Sequence, residues 1–433
     1  MPAAARARPA PKDYTAVMPK STADLPGSDP WKIVYLLAFT QIVSWGSLYY
    51  AFAVIAHDIE RDLGLPTSVV FGAFSWSLLV AGLAATPAGM LIDRYGGRAV
   101  MALGSVLAGI GMAGIACSNS PAMYVGAWTV TGIAMAMTLY EAAFATINRE
   151  FLRGARKGIS VLTLFGGLAS TVFWPLTLKL NTAFGWRDTL LFYAAIHLLL
   201  CMPMHALLAQ TRVGKSKTVH RDAGRSEHGQ EQEKEPQSRS FTLREALREP
   251  VFWKLALAFS ANLFIFSALS IHLIPLLQRF GHSAGTTVMV AALIGPMQVA
   301  GRIAEMAFAG KVRPQTVGIA TFAVLPPALL ALVFLGAHPA AVAVFCMLYG
   351  MSNGVLTIVR GIVPLALFGK ENYGAISGAL AGPSLISKAA GPLAAASLVA
   401  YDPAPEWLLG ILLAVSVLSL ACFLSAARAG AVR

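Results

Sequence analysis

Charge is scarce in this 433-residue chain: Asp, Glu, Lys and Arg make up 12% of it, where a water-soluble protein carries about a quarter. So few charged groups cannot cover a water-facing domain of this size, which excludes an ordinary soluble enzyme. With 56% apolar residues, general disorder is excluded as well. Cysteine is also scarce. Cys117, Cys201, Cys346 and Cys422 lie inside apolar runs with no short-spaced pair. They read as buried small hydrophobes, not as a disulfide framework or a zinc site. HExxH and CxxC are both missing, so no metal and no cofactor is expected. Hydrophobicity dominates what is left, with a mean hydropathy of +0.64. That points to a chain that crosses a membrane several times.

A spanning helix needs about 20 mostly apolar residues. Twelve such segments are expected, near 33–57, 68–91, 99–117, 121–147, 158–181, 188–209, 252–278, 285–309, 315–336, 340–366, 374–399 and 406–427. Residues 210–250 are charged, with too few apolar side chains to bury a core. The expected organisation is therefore a disordered tail (1–30, read as a cytosolic tail and not as a cleaved signal peptide), a six-helix bundle (31–209), a cytosolic linker (210–250), a second six-helix bundle (251–427) and a short tail (428–433). The net charge of +12 is better read as placement at a membrane surface than as a nucleic-acid footprint. If the amino end is inside, 26 Lys/Arg fall on the inner side, 4 on the outer, and Arg302, Arg360 and Lys388 within the membrane. This asymmetry predicts cytosolic termini and a cytosolic linker.

Between the second and third segments stands Gly89-Met-Leu-Ile-Asp93-Arg94-Tyr-Gly96-Gly97-Arg98. It resembles the G-x-L-x-D-R-x-G-x-R loop of the major facilitator superfamily, in that family's position. The resemblance implies an all-α membrane fold of twelve transmembrane helices in two pseudo-symmetric six-helix bundles, and secondary active transport by alternating access. It also implies that Asp93 meets the start of the eleventh helix, around Asn372–Gly374, and Arg149 at the end of the fourth. The physics agrees: glycines allow close approach, and a carboxylate suits a helix amino end. The second half carries a degraded copy, Gly301-Arg302-Ile-Ala-Glu305…Gly310-Lys311-Val-Arg313, without the loop aspartate. Other look-alikes are discarded. Gly109, Gly111 and Gly114 spell GxGxxG inside an apolar helix, where they suit helix packing.

Charges inside the hydrocarbon each cost a few kcal/mol or more and should face a cavity or a partner. The segment Gln298-Val-Ala-Gly-Arg302 resembles the eighth helix of monocarboxylate-type members, where an aspartate and an arginine four apart serve proton and carboxylate. Gln298 cannot titrate, while Arg302 retains a planar fork suited to a carboxylate. A structural pair with Glu305, three residues on, is the competing role. Glu141 and Arg360 occupy matching places in the fourth and tenth segments. They are read as an inner gate, or Glu141 as a proton carrier, with snorkelling of Arg360 as the alternative; Glu305 joins them as a proton-coupling or gate candidate. Lys388, between Pro383 and Pro392, suits an anion or a structural ion pair. His272 suits a proton relay or a neutral hydrogen bond. Tyr49, Tyr50, Asn262, Tyr349 and Asn353 are candidate cavity residues, aromatic packing being the alternative. The resulting expectation is a proton-coupled carrier of a small organic, monocarboxylate-like anion. It would be a multi-pass protein of the cell (inner) membrane, acting as a monomer, with protons and the lipid bilayer as partners and no nucleic acid. Its rival is a proton-driven exporter of drug-like or cationic compounds.

Overall fold

In the computed structural model the described residues are 30–151, 154–208, 240–310, 312–402 and 404–431. The expected tails, and the linker up to residue 239, lie outside them, apart from Pro30 and residues 428–431. The described chain is helical, and ten of its helical runs are long and apolar enough to cross a membrane. One of these, Ala155–Ala206, is twice the needed length. Gly185 breaks it at φ +81, a conformation that favours glycine. The 29-residue helix Tyr373–Tyr401, which carries Lys388, lies outside those ten and completes the set. The helices are α1 (Trp31–Leu63), α2 (Thr67–Tyr95), α3 (Gly97–Ala116), α4 (Pro121–Glu150), α5 (155–184) and α6 (186–206). After them come α7 (Pro250–Arg279), α8 (Gly285–Phe308), α9 (Pro314–Leu335), α10 (Pro339–Phe368), α11 (Tyr373–Tyr401) and α12 (Pro405–Ala431).

Small residues let these helices approach closely, as expected where lipid supplies no hydrophobic drive for packing. On α3, Gly109 faces Leu198 of α6, while Gly111 and Gly114 face Thr131 and Ala127 of α4. The GxGxxG string is thus a packing stripe. Large apolar side chains such as Leu199, Phe308 and Phe334 point outward, as suits a surface that meets lipid. Of the cysteines, Cys201 and Cys346 are buried and Cys422 is half-buried. Cys117 is exposed at the end of α3, where the sequence suggested burial.

Two helices are irregular where they pass the centre. In α1, Gly46–Tyr50 form a wide π-type turn, with Gly46 pressed on the Phe173 ring. Such turns often occur at functional sites. In α4, Leu139 is extended (φ −82, ψ −165) and divides the helix into Pro121–Thr138 and Tyr140–Glu150. The amide of Gln41 donates to the Thr138 carbonyl at 2.6 Å, satisfying one group that the break releases.

The two halves meet along two seams, α2 on α11 and α5 on α8. At the Asp93 end the apolar core is continuous across the halves. It joins Val34, Ile92, Phe144 and Phe151 to Phe252, Phe259, Ile362 and Tyr373. A second core, around Phe52, Trp128 and Tyr193, fills the opposite end of the first half.

Candidate functional site

Between the halves lies a cavity of ≈ 530 Å³, open water included. Its walls include Trp45 and Tyr49 of α1, Leu139 and Glu141 at the break in α4, Arg360 of α10, and Leu385 and Lys388 of α11. A smaller space of ≈ 250 Å³ shares Glu141 and Arg360, and is lined also by Phe144, Phe259 and Ser377. The Glu141–Arg360 pair is the partition between the two. Arg360 Nη2 donates to Glu141 Oε1 at 2.7 Å, with both side chains mostly buried (18% and 19% exposed). Arg360 therefore faces the cavity and meets a carboxylate of the other half.

Lys388 has different company. Its Nζ lies 3.9 Å from the Tyr49 ring centroid and 5.3 Å from that of Trp45. No carboxylate lies within ion-pair distance of it among the described residues. Cation–π contact partly replaces lost hydration, but it leaves the ammonium without a countercharge. The backbone around it is fixed: Ser267 donates to the Lys388 carbonyl at 2.5 Å and His272 Nε2 to the Pro392 carbonyl at 3.1 Å. His272 is thereby engaged as a donor between α7 and α11.

Arg302 sits on the α8 face turned to α5, 5% exposed. Its Nε donates weakly to the Gly354 carbonyl (3.4 Å), and its Nη1 has no partner among the described residues. Gly167, at a turn in α5, makes the room: a Cβ there would overlap Nη1. Gly166 beside it does the same for the hydroxyl of Tyr140, whose ring stands 5.0 Å from Trp45. The residue three along from Arg302 is engaged elsewhere. Glu305 accepts from Arg156 Nη2 (2.8 Å) and Nε (3.1 Å), and from Ser160 Oγ (2.8 Å), all of α5.

The remaining candidates are dispersed. Tyr50 packs on Trp174 and Tyr49. Tyr349 is buried, its hydroxyl donating to the Phe266 carbonyl at 3.0 Å within the second half. Asn262 is buried, its Oδ1 without a partner among the described residues, and the Asn353 carbonyl accepts from Thr357. The Gln298 backbone packs against Gly354.

At the Asp93 end the loop motif meets the second half directly. The N–H groups of Gly374 and Ala375, at the start of α11, donate to Asp93 Oδ1 and Oδ2 (2.9 and 2.7 Å). Gly89 permits this, since a Cβ there would strike the Gly374 carbonyl. Gly96 turns the chain at φ +86, and Gly97 packs on Thr146. Arg149 Nη1 donates to the backbone carbonyls of Ile92 (2.9 Å) and Asp93, so it holds the loop through its backbone and not through the carboxylate. Arg94 and Arg98 are exposed. Lys370 closes the same end, donating to the Phe151 carbonyl at 2.7 Å.

Glu305, one of the expected proton-coupling or gate residues, follows Gly301 by four residues as Asp93 follows Gly89, and it joins the second half to Arg156 and Ser160 of the first. The sequence named Arg302 as its competing partner and gave no sign of Arg156. The buried hydrogen bonds of His205 with Ser105 and Thr40, and of His197 with Ser47, also lay unseen within apolar α6.

Twelve helices in two halves, joined by seams around a central, largely apolar cavity that carries three charged side chains, define a multi-pass helical membrane protein of the transporter type. The family model of the Major Facilitator Superfamily matches residues 34–392, and the chain belongs to that superfamily, whose members are transporters and not enzymes. It is 29% identical over 184 residues (42% of this chain, 48% of the relative) to an uncharacterized 38 kDa protein in a 23S RNA operon of Thermoproteus tenax. It is also 29% identical over 203 residues to monocarboxylate transporter 11 of Homo sapiens (46% and 42%). The chain thus spans about half the length of these curated relatives, or less. Among solved structures, the human organic anion transporter MFSD10 (TETRAN) superposes with a TM-score of 0.65 at 17% identity, covering 92% of this chain and 100% of that one. That likeness is one of fold.

Proposed function

We propose that this protein is a secondary active transporter that moves a small organic anion, monocarboxylate-like and linked to protons, by alternating access between its two halves. The observation that carries the reading is Lys388: a cation in the interbundle cavity, resting on Tyr49 and Trp45, with no carboxylate within ion-pair distance among the described residues. A charge kept uncompensated in a membrane interior is stabilised when an anion arrives. Arg302, with a buried and unpartnered Nη1, supplies a second donor. The cationic-exporter alternative needs a free carboxylate, and among the described residues Glu141 at the cavity wall and Glu305 on the α5–α8 seam are each paired with an arginine. Sequence similarity to a monocarboxylate transporter supports the anion.

For protons, Gln298 cannot titrate and His272 is engaged by Pro392. Glu141 is then the group for the role, exchanging Arg360 for a proton as the partition opens. The count of 26 inner against 4 outer cations supports an inner (cell) membrane protein with the Asp93 end in the cytosol, both termini inside, two bundles (31–209 and 251–427) and a cytosolic linker between them. A cavity wholly within one chain supports a functional monomer.

Uptake of acetate, lactate and benzoate into proteoliposomes under an imposed pH gradient tests the reading. Arg302→Ala and Lys388→Gln are each expected to abolish uptake while the protein still purifies as a folded monomer. Normal transport by either variant would remove that residue from the anion site. Loss of uptake on collapsing the gradient supports proton linkage.

A further inference from the structure

Three features of the α5–α8 seam belong together. First, Glu305 is 5% exposed and is held by three hydrogen bonds, every one from α5. Second, Arg156, which gives two of them, has its Nη1 committed to the same half: it donates to the Val312 carbonyl at 2.5 Å. Third, Arg302 is one helical turn before Glu305 on the same α5-facing side, equally buried, with Nη1 unpartnered among the described residues and its guanidinium seated on Gly167. In the closed seam Glu305 has two cationic neighbours and serves one of them.

Opening the seam changes this. Arg156 and Ser160 are carried by one half and Glu305 by the other, so rocking separates them together. The carboxylate is then left without its partners, and an unpaired charge favours whatever cation stands beside it. The cation that travels with it is Arg302, and residues three apart on a helix are neighbours. We propose that Glu305 exchanges partners during transport: it binds Arg156 while the α5–α8 seam is shut and Arg302 once it opens, so that its carboxylate displaces the transported anion from Arg302 toward the opening side. No bond is made or broken; one ion pair replaces another, and the anion leaves with the guanidinium already neutralised. The exchange rests on the reading of Arg302 as an anion contact. It adds what that reading lacks, a reason for release. Glu305 is thus a positioning residue that acts through Arg302.

Two measurements on the full chain test the exchange, and the first requires no substrate. Thermal unfolding in detergent is run as a double-mutant cycle of Arg302→Gln and Glu305→Gln, once with Arg156 intact and once in Arg156→Gln. Additive shifts are expected with Arg156 present and non-additive shifts in its absence, because only then do Arg302 and Glu305 pair. Additivity in both backgrounds overturns the exchange. The second is uptake of lactate or benzoate into proteoliposomes. Arg156→Gln is expected to raise KM about tenfold, since the freed Glu305 competes for Arg302. Adding Glu305→Gln is expected to return KM to within about twofold of wild type while kcat stays low, because the displacing carboxylate is gone. A merely structural latch gives no such rescue, and a double variant as weak as Arg156→Gln overturns the proposal. If wild-type protein takes up no anion, the anion reading fails by itself, and the unfolding cycle still decides whether Glu305 changes partners.

Discussion

Lys388, Arg302 and Arg360 carry the same formal charge into the membrane interior and meet three different surroundings. Arg360 has a carboxylate at 2.7 Å, Lys388 has two aromatic faces, and Arg302 has a carbonyl at 3.4 Å and one donor left over. On the proposed reading, the difference separates a group that holds the partition from groups that receive an anion. For the Glu141–Arg360 pair, removing one member strands the other charge, whereas removing both strands none. Glu141→Ala and Arg360→Ala are each expected to destabilise the protein more than the double variant, with a coupling of about 1–3 kcal/mol in unfolding free energy. Additive losses would show that the pair does not hold the partition. The sequence marked all three cations by their hydrocarbon setting, and it paired Glu141 with Arg360 by their matching places. It left open whether Arg302 pairs with Glu305, because spacing along one helix says nothing about the helix opposite. Arg156, which takes Glu305 instead, sits just inside α5 and reads as one more positive charge at a helix start.

Helices were the most legible elements, because a run of about 20 apolar residues has few alternatives in a membrane. Their irregularities were not legible. The fourth segment reads as one continuous span, and Thr138-Leu139-Tyr140 holds neither proline nor glycine to announce the break. Tertiary contact stabilises it: Gln41, from α1, binds the Thr138 carbonyl, and the extended Leu139 places Glu141 in the first turn of a new half-helix at the cavity wall. Gln41 is fully buried, so Gln41→Leu leaves that carbonyl without a donor in a dry interior. A loss of about 1–3 kcal/mol in unfolding free energy is expected, while Gln41→Glu, retaining shape but no amide donor, loses at least as much. If Gln41→Leu is as stable as wild type, the break does not depend on α1, and α4 is bent by its own sequence.

At the scale of the whole molecule, two acidic contacts join the halves, one on each seam, and on the proposed reading they are latches of the closed state. Asp93 of the first half accepts from the amino end of α11, and Glu305 of the second accepts from α5. The arrangement follows from the internal repeat, since the two latches stand at corresponding places in the Gly89 and Gly301 motifs. It also explains why the apolar core runs unbroken across the halves at this end, while the opposite end of the first half has a core of its own. Closure then depends on two contacts far apart, whose contributions should add. A carboxylate at a helix amino end contributes about 0.3–1 kcal/mol or somewhat more, and a buried carboxylate–arginine pair contributes more when one partner is removed. Ser377, 5% exposed beside the Glu141–Arg360 partition, supplies a reporter position. With the four native cysteines replaced, Ser377→Cys should react slowly with a maleimide. Asp93→Asn or Glu305→Gln alone should speed the reaction severalfold, and the two together should give about the product of the single effects, tenfold or more. A double variant no faster than the better single one would mean that one seam controls the other, and that the halves open by hinging along α2–α11 or α5–α8 instead of parting along both.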